Sequence, residues 1–186
     1  DAQESRGLGD VYKRQIKTVV FAIVVILCYT IYGVLNNKER REIMFGKSKK
    51  REAVAFVDYE HWFYGYSNRF QMRPNVDEWL KELKNEFHMK DIFFFGDFSE
   101  PNIGKDLERL KKITSGIVHT ASEKIGVDKD FTDVIILDQI YRYASKKKSP
   151  DVYILFTGDA HFLKVAEYLK ELGKKVIICL LYTSDA

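Results

Sequence analysis

Four short apolar runs constrain this chain more than any other feature. They are "AVAFVD" at 53–58, "DIFFFGDF" at 91–98, "GIVHTA" at 116–121 and "DVYILFT" at 151–157. Each is strand-length and rich in β-branched or aromatic residues, which predicts a buried strand. The runs are continuous rather than alternating, as strands covered on both faces must be. "KVII" at 175–178 opens a fifth. Helical patterns lie between them. "NVDEWLKELKNEFH" at 75–88 places Val76, Trp79, Leu80, Leu83 and Phe87 on one stripe. "IGKDLERLKKI" at 103–113 turns Leu107 and Leu110 inward. "KDFTDVIILDQIYRYASKKK" at 129–148 predicts a long helix capped by Thr132 or Asp130, and "HFLKVAEYLKELG" one ended by Gly173. Strands alternating with helices predict a three-layer α/β/α sandwich around a mostly parallel central sheet.

The ends of the chain need separate treatment. Residues 5–15, "SRGLGDVYKRQ", back-translate into a sequence resembling a transposon sequencing adapter. In the same back-translation, the segment for 179–184 is the reverse complement of the segment for 10–15. Residues 1–15 and 179–186 are therefore expected to be adapter artefacts that form no part of the folded domain. The α/β domain is expected over 53–178, with its C-terminal side cut short.

A membrane helix is expected at 16–36, where residues 18–35 are eighteen uncharged residues in a row after Lys17. That length is enough to span a bilayer, with Tyr29 and Tyr32 near one end. A signal peptide is the runner-up, but "GVLNNKERR" offers no small-residue cleavage site. The segment 37–52 that follows is a basic linker. Its Lys and Arg residues point to a single-pass membrane protein with the globular part on the cytoplasmic side. "GKS" at 46–48 is not a phosphate-binding loop, since Arg41 stands where that loop needs glycine. The net charge of +3 is too small to argue for nucleic acid by itself. With two cysteines in the chain, neither a disulfide framework nor a zinc pattern is available.

In parallel sheets, sites form beyond the carboxyl ends of the strands. The acids collect there. Asp58 ends the first run and Glu60 follows it. Asp97 closes the second, and Asp159 follows the fourth in "FTGD". Asp133 and Asp138 lie on the helix before that fourth strand. Clustered carboxylates raise one another's pKa unless a cation sits between them, and oxygen ligands suit Mg2+ or Mn2+. Asp58, Asp133, Asp138 and Asp159 are the candidate metal ligands, and Asp58, Asp133 and Asp159 the catalytic set. Capping is the competing role for Asp58 and Asp159, and a favourable place in the helix dipole for Asp133. Asp133 and Asp138 stand about 140° apart on a helix, so both cannot point straight at one ion unless the helix begins at Asp133.

"AFVDYEHW", "KDFTDVIILDQIY" and "DVYILFTGDAHF", in that order and followed by "GKKVII", resemble the NYN domain, a branch of the PIN-like nucleases. The resemblance covers 53–178 and implies a PIN-like sandwich that cleaves RNA with metal-binding aspartates. It places the first family aspartate on Asp58, the middle acids on Asp133 and Asp138, and the "S/T-G-D" pair on Thr157 and Asp159. Two positions depart from the family. His61 stands where asparagine is frequent, and His161 where a second aspartate is usual. Accessory roles then fall to Glu60, His61, Asp97, Thr157 and His161. Around Asp58, "YEHWFYGYSNRF" interleaves aromatics with arginine. Trp62, Arg69 and Arg73 are candidates for stacking bases and holding phosphates, with core packing the alternative for the aromatics. The expectation is a membrane-tethered, metal-dependent ribonuclease. A non-catalytic RNA-binding or scaffold module is the alternative, motivated by the two histidines.

Overall fold

The computed structural model describes residues 50–121, 131–159 and 161–179. Five strands form one parallel sheet: β1 (Glu52–Asp58), β2 (His88–Gly96), β3 (Gly116–His119), β4 (Val152–Phe156) and β5 (Lys175–Cys179). Their order is β3-β2-β1-β4-β5. The chain starts in the middle, winds outward one way, then returns to pair β4 with β1. Strand order therefore reverses between β1 and β4, which is where a doubly wound sheet opens its crevice.

The helices are α1 (Tyr59–Phe70), α2 (Val76–Glu86), α3 (Pro101–Gly104), α4 (Leu107–Ile113), α5 (Thr132–Ala144) and α6 (Phe162–Glu171). Two cores lie on opposite faces of the sheet. Ala53, Ala55 and Val57 of β1 pack with Tyr59, Trp62, Trp79 and Leu110 from α1, α2 and α4. Val54 and Phe56 of the same strand pack with Ile136, Ile140, Phe162 and Val165 from α5 and α6. Successive β1 residues thus feed opposite layers, as the period-two pleat requires. Full burial of a Phe or Leu side chain contributes about 1.5–3 kcal/mol, so these two layers carry the fold.

The structure differs from expectation in its elements. Residues 59–70, for whose aromatics the sequence left both base stacking and core packing open, form α1. Tyr59, Trp62, Phe63 and Tyr66 recur at helical spacing and face the core. The helix closes at Gln71, a left-handed residue at φ 52° whose N–H donates to Ser67 O. The single helix expected at 103–113 is broken into α3 and α4 around Lys105 and Asp106. The long helix α5 occupies Thr132–Ala144 rather than 129–148. Its N-cap is Phe131 rather than Thr132, and Asp130 lies outside the described residues. β2 begins three residues early and stops at Gly96, so Asp97 lies beyond the strand. β5 runs one residue past 178, with Cys179 paired to Phe156.

The expected membrane span at 16–36, most of the basic linker, and residues 1–15 and 180–186 lie outside the described residues. Among the described residues, no helix is long and apolar enough to cross a membrane.

Candidate active site

β1 ends at Asp58, which also caps α1. Its carboxylate accepts the His61 N–H at 2.9 Å. One side-chain oxygen therefore closes the helix while the residue stays at the sheet's crevice. Glu60 and His61 follow in the first turn of α1, and Tyr64 one turn later. Across the reversal point, β4 runs out into Thr157, Gly158 and Asp159. Thr157 Oγ1 accepts the Asp159 N–H at 3.2 Å, and Asp159 Oδ1 accepts the His161 N–H at 2.9 Å. This Asx turn holds the Asp159 carboxylate at the strand end. Asp159 does not occupy the N-cap position of α6, which falls on His161.

The third element is the start of α5, where Thr132 and Asp133 occupy the first turn. Asp58, Glu60, His61, Tyr64, Thr132, Asp133, Thr157, Gly158 and Asp159 line one cleft of about 560 Å³. At its edge, His161 Nδ1 lies 3.1 Å from Asp159 Oδ1 and 3.4 Å from Asp133 Oδ2. One donor atom from each of these three residues falls within 4.8 Å of the others. His161 is the most exposed of the three, its side chain 74% accessible.

His61 sits deeper. Its Nε2 is buried and has no hydrogen-bond partner. Burial holds its pKa below the ordinary histidine value, against the opposing pull of the Asp159 and Asp133 carboxylates.

Other residues singled out by sequence lie elsewhere. Asp138 is turned outward and pairs with Arg142 at 2.6 Å, an ion pair between two exposed side chains. The five-residue offset from Asp133 rotates it off the cleft. Asp97 accepts from Ser99 and turns its backbone N–H to Glu60 Oε2 at 3.2 Å, touching the cleft only through Glu60. Trp62 is 3% exposed and stacks among Trp79, Phe156 and Tyr59. Its ring faces are filled by the core, so it offers no platform to a base. Of the aromatics in α1, Tyr64 lines the cleft, its hydroxyl donating to Glu100 Oε2 at 2.9 Å. Arg69 is exposed on the last turn of α1. Arg73 is committed to Asp106 at 3.2 Å and to the carbonyl of Asn102.

Asp106 escaped the sequence reading. It is 6% exposed and accepts from Tyr59 Oη at 2.7 Å, with Arg73 and Arg109 beside it. Burial, and then the Asp106 carboxylate, drive the Tyr59 pKa far upward. Nothing in "GKDLERL" distinguishes this acid from its solvated neighbours.

The NYN domain family model matches residues 53–186. The chain belongs to the NYN domain family. This NYN domain has the PIN-like nuclease fold, and membership points to hydrolysis of the nuclease type. A crystal structure of a protein of unknown function from Vibrio parahaemolyticus RIMD 2210633 is similar to it, with TM-score 0.59 and 18% identity. The match covers 69% of this chain and 80% of that one. At that identity the likeness speaks to the fold alone. No curated protein matches the chain. Within the NYN domain, both histidine departures fall at the cleft: His61 in its floor and His161 at its rim.

Proposed function

We propose that the chain is a membrane-tethered ribonuclease that hydrolyses RNA phosphodiesters at a divalent ion, Mg2+ or Mn2+, held in this cleft. The observation that carries this reading is the convergence of Asp133, Asp159 and His161 from two elements at the point where strand order reverses. The residues fit such an ion. Two anionic oxygens and an imidazole nitrogen are donors that divalent cations accept. Asp58, Asp133 and Asp159 would hold the ion, with Asp138 excluded by its outward course. A bound divalent ion activates water and offsets the charge of a phosphoryl transition state.

The chain's own residues position the reaction. The Thr157 hydroxyl and the His161 N–H fix the backbone and carboxylate of Asp159. Glu60 braces the loop after β2 through the Asp97 N–H. Tyr64, anchored to Glu100, provides an aromatic wall against which an unpaired base can stack. Arg69 on the last turn of α1 suits a phosphate of the strand beyond. The anchor is read at 16–36 from its uncharged run, and the cytoplasmic orientation from the basic residues after it.

The test uses the full chain in detergent with labelled single-stranded RNA, Mg2+ or Mn2+, and a chelator control. Metal-dependent cleavage that is lost in both Asp58→Asn and Asp159→Asn supports the reading. Cleavage that persists in both removes the site from it.

A second reading rests on His161 itself. In its protonated form, its imidazole pairs with both carboxylates and offsets one of their two charges without an ion. The chain would then be an RNA-binding module. Chelator-resistant RNA binding without cleavage products would decide for it.

A further inference from the structure

We infer that His161 is an inner ligand of the metal in this cleft, so that the site takes a first-row transition ion such as Mn2+ in preference to Mg2+. This rests on the reading of the cleft as a metal site.

The geometry starts at the backbone. The Asx turn at Asp159 brings the His161 N–H onto Asp159 Oδ1. The side chain then folds back over the same carboxylate, placing Nδ1 3.1 Å from it and 3.4 Å from Asp133 Oδ2. Ligands about 2.1 Å from an octahedral ion are about 3.0 Å from their cis neighbours, by simple geometry on the known bond lengths. The imidazole nitrogen already stands near that spacing from both oxygens. Packing does not explain its place, because three-quarters of the side chain is accessible.

A nitrogen donor changes which ion the site prefers. Mg2+ is hard, holds its waters and favours oxygen. Imidazole adds affinity along the first transition row. An imidazole added to the carboxylates of this cleft therefore favours Mn2+, where an all-carboxylate set would not discriminate as strongly. His61 does not supply the nitrogen in this arrangement, since its Nε2 is buried against Gly158. His88 and His119 lie on β2 and β3, outside the lining of the cleft.

The experiment is pulsed electron paramagnetic resonance on the full chain loaded with Mn2+ alone, with Mn2+ and Mg2+ affinities measured by calorimetry. The expected spectrum carries nitrogen modulation from one imidazole. It disappears in His161→Asp and persists in His61→Asn. In His161→Asp, the preference for Mn2+ over Mg2+ falls about tenfold. Mn2+ bound without nitrogen modulation, or modulation lost in His61→Asn instead, overturns this inference and leaves a carboxylate-held site in place. Absence of Mn2+ binding overturns the metal reading with it. The spectrum reports ligation directly, so a variant that loses only activity cannot be mistaken for support.

Discussion

The imidazole of His61 lies against the bare Cα of Gly158. A Cβ added at Gly158 would come within 2.2 Å of His61 Nε2 and 2.5 Å of its Cε1. The glycine's φ is not positive, so the requirement is for space and not for backbone freedom. Gly158→Ala is expected to displace His61 and strain the β4 exit, lowering stability by about 1–3 kcal/mol. Chemical denaturation, with cleavage assayed in parallel, checks this. A variant as stable and active as the parent would show that His61 yields freely.

Asp159→Asn should separate function from stability. Asparagine keeps a side-chain oxygen for the His161 N–H, so the Asx turn survives. It also removes one of two negative charges facing each other across the rim. In chelator the melting temperature is expected to hold or rise slightly, while cleavage falls at least a hundredfold by loss of metal-assisted chemistry. Thermal unfolding with and without Mn2+ measures both, and the ion should no longer raise the variant's melting temperature.

Trp62 and Tyr64 are two residues apart and should behave oppositely. Trp62→Ala opens a cavity between α1, α2 and β4 and is expected to destabilise by about 3–5 kcal/mol. Tyr64 only flanks the core, so Tyr64→Ala should cost less stability and instead weaken RNA binding by about 1–3 kcal/mol if its ring stacks a base. Denaturation and RNA-binding titrations on both variants distinguish packing from contact.

Asp106→Ala strands the Tyr59 hydroxyl and two guanidinium groups around a buried site. Arg73 and Arg109 are each at least a third exposed and can rehydrate. The expected loss is therefore about 3 kcal/mol, at the low end for breaking a buried ion pair. Mn2+ affinity should be unchanged, because the network lies on the α4 side of α1. A calorimetric titration on the folded variant tests that separation.

His61 should leave a mark on the pH dependence. Its folded pKa is lowered from 6.5 by burial, with Asp159 and Asp133 pulling the other way. Below the unfolded value, the unfolded chain binds the proton that the folded chain resists. Stability therefore rises with pH through that window and is lost as pH falls below about 6.5. Asp58, Asp133 and Asp159 face the same cleft. In chelator, the melting temperature of the parent should drop more between about pH 7.5 and 5.5 than that of His61→Gln. Equal drops would assign the slope to other groups.

Much of this molecule was legible without coordinates. Continuous apolar runs with β-branched residues mean strands covered on both faces, and the helical spacings between them fix a parallel sheet by local rules. The position of Asp58 at one strand end and Asp159 just past another follows from the same reasoning. Helix α1 was not legible as a helix, because its aromatic residues suit a core face and a base-stacking face equally; only the packing of Trp62 against Trp79 and Phe156 separates them. Asp138 carried the same ambiguity, settled by rotation about α5 and by Arg142. Asp106 is acidic in sequence like its exposed neighbours, and its burial depends on Tyr59 and Arg73, more than thirty residues away. The alternating elements and the carboxylates that end them are local properties of spacing and residue type, so the chain alone carries them. Only the tertiary structure decided which carboxylates meet, because that depends on β4 returning to lie beside β1 and on the rotation of each helix against the sheet.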